Sequence, residues 1–407
     1  MTLNEHISTR LATFGITSEI RQDTLHLTID GNEIRIRRDE DLENAYANYR
    51  RARSKNFDAN DRTYILNNSV EVPLARLDLD IFREGDDATF NGEPNRKIVI
   101  QRASASYAFA HFDSPEYAQY FKSFVHQRIT RNLSSRSAKP LAFIFFRPIT
   151  ATYMAGGRKT PNNIKETAIE AIRACLLKLA VERRICYEIF RPRARRSISK
   201  VDSLIEPEWT IPKVTYDPNI VSFYKVARSS PFPSQSYLAY YHVLEYYFLR
   251  VSEDSLHHQL KTLLNRPNFS VNSDGLDRLI SLVRKQAAQD DETEMLRKVL
   301  QRFTSEEDFI AYVANLESDF GEKLYSKKRV IFGESLEISL KEGHAISNAA
   351  KLMKHVRNAI VHSSDKYKRE ECHIPLSESE DVIYEIIPIV RYFAEQVIFG
   401  TATPRQL

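Results

Sequence analysis

The chain has 407 residues, of which 42% are hydrophobic and 28% are charged, a balance that is typical of globular proteins and argues against long disordered segments. This length predicts two or three domains. Eleven glycines are few for a fold that depends on glycine-rich loops, and a net charge of +4 is compatible with nucleic-acid binding but does not require it.

The cysteines and the start of the chain bear on where the protein works. Cys175, Cys186 and Cys372 form no CxxC pair, so the sequence indicates neither a disulfide framework nor a cysteine-based metal site. We expect reduced thiols, no metal, no cofactor and a cytoplasmic location. Residues 1–6 contain no basic region followed by an apolar run, so neither a signal peptide nor a membrane span is predicted.

Residues 1–200 predict a mixed α and β region, with a potential break into two subdomains near 135–140. Two alternating runs, 24–29 and 33–37, flank the turn signal Asp30-Gly31-Asn32 and predict a β-hairpin. Further strands are predicted at 70–72, 97–101, 107–112, 141–146 and 150–154, and helices at 41–53, 115–129 and 162–184. We expect this region to sense a regulatory ligand or protein, or to position the rest of the chain.

Residues 201–230 contain several prolines and predict an irregular connection. From 231 to 399 the chain predicts only helices, so the expected fold class is α+β with a C-terminal all-α bundle. These helices are predicted at 234–252, 274–289, 292–303, 305–320, 344–362 and 377–399. Ser377 and Glu380 have the spacing of a capping box, which predicts where the last helix begins.

The segment Arg357-Asn358-Ala359-Ile360-Val361-His362 carries the candidate chemistry. It closes a helix with a predicted buried stripe, formed by Ile346, Ala349, Met353, Val356 and Ile360. His355, Asn358 and His362 share one helical face beside that stripe. Arg357 and His362 point about 140° apart on a straight helix. Acting together therefore requires the long arginine side chain, a bend at the helix end, or a second subunit.

These side chains suit RNA cleavage without a metal. RNA carries its own nucleophile, the 2′-hydroxyl, so cleavage needs a proton acceptor, a proton donor and stabilisation of the charge on the phosphate. A histidine titrates near neutral pH and serves either proton transfer. An arginine offers a planar, permanently charged fork to phosphate oxygens. Asn358 would orient the histidine or donate to the phosphate.

The segment resembles the HEPN superfamily, whose helical domains carry an Arg-x4-6-His signature, often with a polar residue directly after the arginine. Here that residue is Asn358. The aromatic-rich run 236–248 resembles the first helix of such domains, and 381–391 fits the helix after the motif. The resemblance covers 231–399 and implies a homodimeric, metal-independent endoribonuclease that leaves a 2′,3′-cyclic phosphate, in bacterial antiviral defence or a toxin-like system. One departure is the helical insert between about 267 and 341.

The spacing alone is a weak signal, since Arg21 and His26 repeat it on the predicted hairpin. For Arg357 and His362 the alternative is a solvated helix end, where cations offset the helix dipole. Glu245 either pairs with Arg357 or steers His362, or it is a partly buried acid satisfied by another neighbour. His242 is expected to be a packed histidine.

Several other residues are supporting candidates. Lys354 and His355 lie beside the motif. Arg191, Arg193, Arg195 and Arg196 form a basic run that would contact RNA phosphates or form a solvated linker face. Residues 156–160 sit where a phosphate-binding loop would, but they lack the P-loop pattern. The predicted function is therefore an endoribonuclease; the alternatives are a catalytically silent helical dimerisation or interaction module and a nucleotide-sensing regulatory protein.

Overall fold

A computed structural model of the chain has the predicted α+β content, with a sheet-containing region first and a helical region after it. It divides into two compact units, Met1–Arg193 and Ala194–Leu407, here called the first and the second unit. The described residues are 2–21, 24–29, 32–37, 39–52, 55–77, 87–93, 95–121, 139–140, 144–145, 147–156, 163–190, 213–289, 291–362 and 372–404.

A four-stranded sheet opens the first unit, in the order β1-β2-β3-β9. The predicted hairpin is confirmed, because β2 and β3 pair antiparallel with Leu27 opposite Ile34. Both of these side chains are buried, which follows from the alternation in the sequence. The elements are α1 (Leu3–Ala12), β1 (Thr17–Arg21), β2 (Thr24–Ile29), β3 (Asn32–Arg37), α2 (Glu40–Arg51) and β9 (Lys139–Pro140).

The second sheet of this unit follows the order β4-β5-β6-β10-β8-β7, and β11 pairs with the far part of β6. The predicted strands at 70–72, 97–101 and 150–154 are confirmed within β6, β8 and β10. Helix α5 (Ile164–Arg183), also predicted, buries Ile164, Ala168 and Ile172 in the core beside this sheet. The strands are β4 (Lys55–Asp58), β5 (Thr63–Leu66), β6 (Ser69–Arg76), β7 (Ala88–Gly92), β8 (Arg96–Arg102), β10 (Ile149–Met154) and β11 (Tyr187–Ile189).

The strand predicted at 107–112 is wrong. Those residues form helix α3 (Ala105–Asp113), and Ser104 caps it by accepting a hydrogen bond from the Tyr107 backbone. The side chains at 107–112 are all buried, so this helix has no polar face and no helical periodicity to reveal it. A short helix α4 (Tyr117–Tyr120) follows. Most of the elements predicted at 115–129 and 141–146, and the break near 135–140, lie outside the described residues.

The second unit consists mainly of helices around one core. The irregular connection predicted at 201–230 is wrong for its last part: 214–215 form a short strand, and 218–229 form a helix that begins at Pro218, where proline is tolerated. Residues 201–212 lie outside the described part. The helices are α6 (Pro218–Ser229), α7 (Pro233–Glu245), α8 (Phe248–Leu264), α9 (Ser273–Gln289), α10 (Glu292–Phe303), α11 (Glu306–Phe320), α12 (Ala345–Val361) and α13 (Ser379–Gly400).

The second unit differs from the predicted all-helical bundle in one helix and in its short strands. The single helix predicted at 234–252 is two helices, separated at Tyr246 and Tyr247. The second unit is also not purely helical: β13 (Arg329–Ile331) and β14 (Glu334–Leu336) form a hairpin, and β12 (Val214–Thr215) pairs with β15 (Thr403–Pro404). Within the described residues, every helix is too short or too polar to cross a lipid bilayer.

Candidate active site at the end of helix α12

Helix α12 presents the candidate residues where it leaves the core. Its apolar stripe is buried at Ile346, Ala349, Met353 and Val356, as predicted, whereas Ile360, the last residue of the predicted stripe, is only partly buried. From helix α7, the Tyr237 hydroxyl donates a 2.7 Å hydrogen bond to the Met353 carbonyl oxygen. The stripe and this bond fix the rotation of α12, and therefore the side on which Arg357 and Asn358 emerge.

Arg357 lies between two carboxylates from different helices. Its Nη2 is 3.8 Å from Glu245 Oε1 at the end of α7, and its Nε is 3.6 Å from Glu292 Oε1 at the start of α10. Its Nη1 donates a 3.2 Å hydrogen bond to Asn358 Oδ1. The pairing considered for Glu245 and Arg357 is therefore present in the structure, although Glu245 serves a second partner as well.

That second partner is His242, whose Nδ1 lies 2.8 Å from Glu245 Oε2. The expectation of a packed histidine is wrong here, because the His242 side chain is 47% exposed. Its ring lies against Phe223 of helix α6, with 5.5 Å between the ring centroids. Glu245 therefore couples an exposed imidazole to the Arg357 guanidinium.

Sequence reasoning missed Glu292. Its Oε1 accepts a 3.0 Å hydrogen bond from the Tyr241 hydroxyl as well as lying near Arg357. Burial, together with the charge and hydrogen bond of Glu292, raises the pKa of Tyr241 well above its usual range, so this hydroxyl stays a donor. In the sequence, Glu292 looked only like an acidic residue in the first turn of a helix, 65 residues before Arg357.

His362 is the residue at which α12 stops. It has left helical geometry (φ −105°, ψ 79°), although its backbone N–H still bonds to the Asn358 carbonyl oxygen. Its side chain is exposed and makes no hydrogen bond or ion pair with any described residue. Likewise, no hydrogen bond or ion pair joins the side chains of Arg357 and His362 within residues 213–289, 291–362 and 372–404. Within one subunit, the described residues therefore provide no hydrogen-bond or ion-pair link between the two side chains.

Two residues that follow the motif hold the backbone at this helix end. The Cys372 thiol donates to the His362 carbonyl oxygen at 3.2 Å, and the His373 backbone N–H donates to the Ala359 carbonyl oxygen at 2.9 Å. These bonds satisfy two of the carbonyl groups that a helix leaves open at its C-terminus. The position of His362 therefore depends on the segment that returns at Cys372.

His373 is itself held by a buried polar cluster. Its Nδ1 lies 2.7 Å from Ser379 Oγ, and its Nε2 lies 3.4 Å from Glu380 Oε1. Glu380 accepts hydrogen bonds from the Ser234 backbone and hydroxyl, at 3.2 and 3.1 Å. Burial disfavours the charged carboxylate, but His373 and the Ser234 donors outweigh it and lower the pKa of Glu380. An ionised glutamate thus joins the starts of α7 and α13 to the end of α12.

The predicted capping box from Ser377 to Glu380 is therefore wrong. Helix α13 begins at Ser379 without a side-chain cap, and the Ser377 hydroxyl accepts instead from the Ser379 backbone at 3.2 Å. Glu380 cannot reach back to its own helix end because Ser234 and His373 engage it.

The two supporting candidates on α12, Lys354 and His355, form contacts with residues other than Arg357, Asn358 and His362. Lys354 Nζ donates to Thr293 Oγ1 at 2.8 Å, at the start of α10. The His355 ring meets the β13–β14 hairpin: Nε2 lies 2.9 Å from the Ile331 carbonyl oxygen and Nδ1 lies 3.1 Å from Glu334 Oε2. The prediction that His355 joins Asn358 and His362 is therefore corrected, because its ring anchors a hairpin.

The remaining candidates cannot be placed. Arg191, Arg193, Arg195, Arg196 and most of the glycine-containing loop at 156–160 lie outside the described residues. Within the described part of the chain, no group of three histidine, cysteine or acidic side chains is arranged to hold a metal ion.

Comparisons of the chain with protein-family models, with curated proteins and with solved structures found no match. The resemblance to the HEPN superfamily and the roles of Arg357, Asn358 and His362 accordingly stay predictions.

Proposed function

We propose that this chain is an endoribonuclease that cuts RNA by attack of a ribose 2′-hydroxyl on the adjacent phosphate. The 2′-oxygen gives up its proton and bonds to phosphorus, while the bond from phosphorus to the 5′-oxygen breaks and that oxygen takes up a proton. The products are a 2′,3′-cyclic phosphate and a 5′-hydroxyl end.

The proposal depends on the N–H donors of the Arg357 guanidinium that no described residue engages. A guanidinium has five N–H donors, and within the described residues Arg357 makes one hydrogen bond, to Asn358. Glu245 and Glu292 lie at 3.8 and 3.6 Å, beyond ordinary hydrogen-bond range. They orient the cation without occupying its donors, which leaves the planar fork available to a phosphate.

His362 would perform one of the two proton transfers. Its imidazole is exposed, and its backbone is held by Cys372 and by the hydrogen bond to Asn358. One imidazole cannot accept and donate in the same step, so the other transfer needs a second group. A second copy of the chain in a homodimer would supply it, and would also bring an imidazole near the guanidinium.

A catalytically silent interaction module is the second candidate, and a specific observation favours it. Two carboxylates surround one guanidinium, and the resulting network joins α7, α10 and α12. Such a network could hold three helices together and have no catalytic role. Within the described residues no hydrogen bond or ion pair links Arg357 to His362, so a purely structural role accounts for the contacts of the arginine.

An RNA cleavage assay separates the two candidates. Purified wild-type chain would be incubated with 5′-labelled single-stranded RNA beside Arg357→Ala and His362→Ala, with folding checked by circular dichroism. We expect each variant to lose at least about 100-fold in rate. Arg250→Ala and His258→Ala remove the same side chains from exposed positions on α8 and should cut at the wild-type rate.

The mechanism is tested with the same RNA carrying 2′-O-methyl riboses, which lack the nucleophile and should stay intact. EDTA should leave the rate unchanged, since no step uses a metal. Cutting of the methylated RNA, dependence on added Mg²⁺, or full activity in both Arg357→Ala and His362→Ala contradicts the proposal. A wild-type chain that cuts no RNA supports the interaction module.

A further inference from the structure

Helix α9 carries an apolar stripe that faces away from the rest of its unit. Leu276 and Ile280 are each 47% exposed, and Val283 is 43% exposed. At 3.6 residues per turn these three side chains lie within about 60° of one another. An amphipathic helix in a globular protein normally turns such a stripe to the core, so here the stripe lacks cover within the described chain.

The face of α9 turned towards its neighbour is a different one. A hollow beside α8 is lined by Leu263 of α8 and by Asp277, Arg278, Ser281 and Leu282 of α9. On the helix Arg278, Ser281 and Leu282 lie on the side opposite to the stripe, and Asp277 lies at the border between the two sides. The stripe is therefore open to a partner from outside the unit while α9 stays attached to α8.

Charges beside the stripe indicate which partner fits. Asp277 and Arg284 are seven residues apart, so they lie on the same flank of the stripe, within about 20° of one another. In an antiparallel pair of identical helices, this flank of one helix faces the same flank of the other helix. Asp277 of each copy then faces Arg284 of the other. The midpoint of these two residues falls beside Ile280, so the charges and the stripe share one centre. A parallel pair would place this flank against the uncharged one.

We propose that α9 is a docking surface for α9 of a second copy of this chain, packed antiparallel about Ile280. The stripes then cover each other, and two symmetric Asp277–Arg284 pairs set the direction. A membrane surface fits less well, because helices that lie on anionic lipid carry basic residues beside the apolar stripe, whereas here Asp277 borders it. This inference does not rest on the ribonuclease proposal.

Sedimentation velocity of the full chain without RNA tests it. We expect the mass of two chains for the wild type at about 10 μM, and the mass of one chain for Ile280→Asp. The matched control is Val181→Asp, which places the same charge at an exposed apolar position on α5 and should remain dimeric.

Charge exchange tests the direction. Asp277→Arg and Arg284→Asp should each weaken the dimer about tenfold by placing like charges together, and the double variant should restore it. A wild-type chain that stays monomeric at about 100 μM, where even a weak specific pair would associate, overturns the proposal, as does a dimer that survives Ile280→Asp. If the double variant dimerises no better than the single ones, the antiparallel packing is wrong. Binding of monomeric wild-type chain to anionic vesicles through Ile280 would assign the stripe to lipid instead.

Discussion

Each unit buries a glutamate against a serine that lies at the start of a helix, and the pKa values of the two carboxyl groups shift in opposite directions. In the first unit Glu71 accepts from the Ser104 backbone at 2.8 Å, the Ser104 hydroxyl at 2.6 Å and the Thr150 hydroxyl at 2.8 Å. Burial nevertheless raises the pKa of Glu71. In the second unit Glu380 also accepts from a serine backbone and hydroxyl, yet its pKa is lowered.

Burial and the third hydrogen-bonding partner together account for the difference, because burial outweighs the stabilising contacts at Glu71 and is outweighed by them at Glu380. Thr150 donates to Glu71 from a neutral hydroxyl, whereas the group beside Glu380 is the His373 imidazole, which can become positively charged. Hydrogen bonds from neutral groups stabilise a carboxylate less than an opposite charge at short range does. Similar serine contacts thus accompany a raised pKa in one unit and a lowered pKa in the other.

The largest expected effect follows from removing each charge with an isosteric amide. Glu380→Gln should destabilise its unit by about 3 to 5 kcal/mol, since it removes the charge of a buried carboxylate that Ser234 and His373 surround. Glu71→Gln should cost only about 1 kcal/mol, because burial already disfavours the charge that the amide removes. Urea unfolding with pulsed hydrogen exchange assigns the loss to each unit. Equal losses of unfolding free energy in the two variants would contradict the opposite pKa shifts of the two carboxyl groups.

The serines should reverse that order. Ser104 caps α3 and also donates to Glu71, so Ser104→Ala loses two bonds and should cost about 1 to 2 kcal/mol. Ser234 caps nothing by its side chain and donates one 3.1 Å bond, so Ser234→Ala should cost about 1 kcal/mol or less. The same unfolding measurement applies, and a larger loss for Ser234→Ala would count against the assigned roles.

The smallest effect is a difference in pH dependence. Glu380, with its lowered pKa, stabilises the fold above its ordinary value of 4.5, and this contribution disappears as the pH falls through the folded pKa. Glu71, with its raised pKa, stabilises below 4.5, and its contribution disappears as the pH rises through the folded pKa.

The penalty of Glu380→Gln should therefore shrink in acid, while that of Glu71→Gln should shrink towards neutral pH. Each change stays below about 1.4 kcal/mol per pH unit, the limit for one proton. Unfolding at several pH values with labelling at one fixed pH measures both trends. Penalties that change in the same direction would contradict the opposite pKa shifts.

The sequence revealed local periodicity well and long-range partners poorly. The hairpin of β2 and β3 and helices α5, α10 and α11 were predicted from alternation, periodicity and caps. Helix α3 was not, because it is apolar on every side. The capping box failed because Ser234, which lies 146 residues before Glu380, claims that carboxylate.

The candidate site shows the same limit. The motif at the end of α12 and the pairing of Arg357 with Glu245 could be proposed from spacing and helix context. Glu292 could not, since nothing in the sequence places the start of α10 beside Arg357. The role of His355 depends on a hairpin of two three-residue strands, which is too short to leave a periodic signal.

In the second unit, β12 and β15 lie side by side, which bears on how the unit could be inserted into another protein. Val214 pairs with Pro404 and Thr215 with Thr403, so the polypeptide enters and leaves this helical body at neighbouring points. A module closed in this way can be grafted into a surface loop of an unrelated protein, or given new ends elsewhere, without pulling its helices apart.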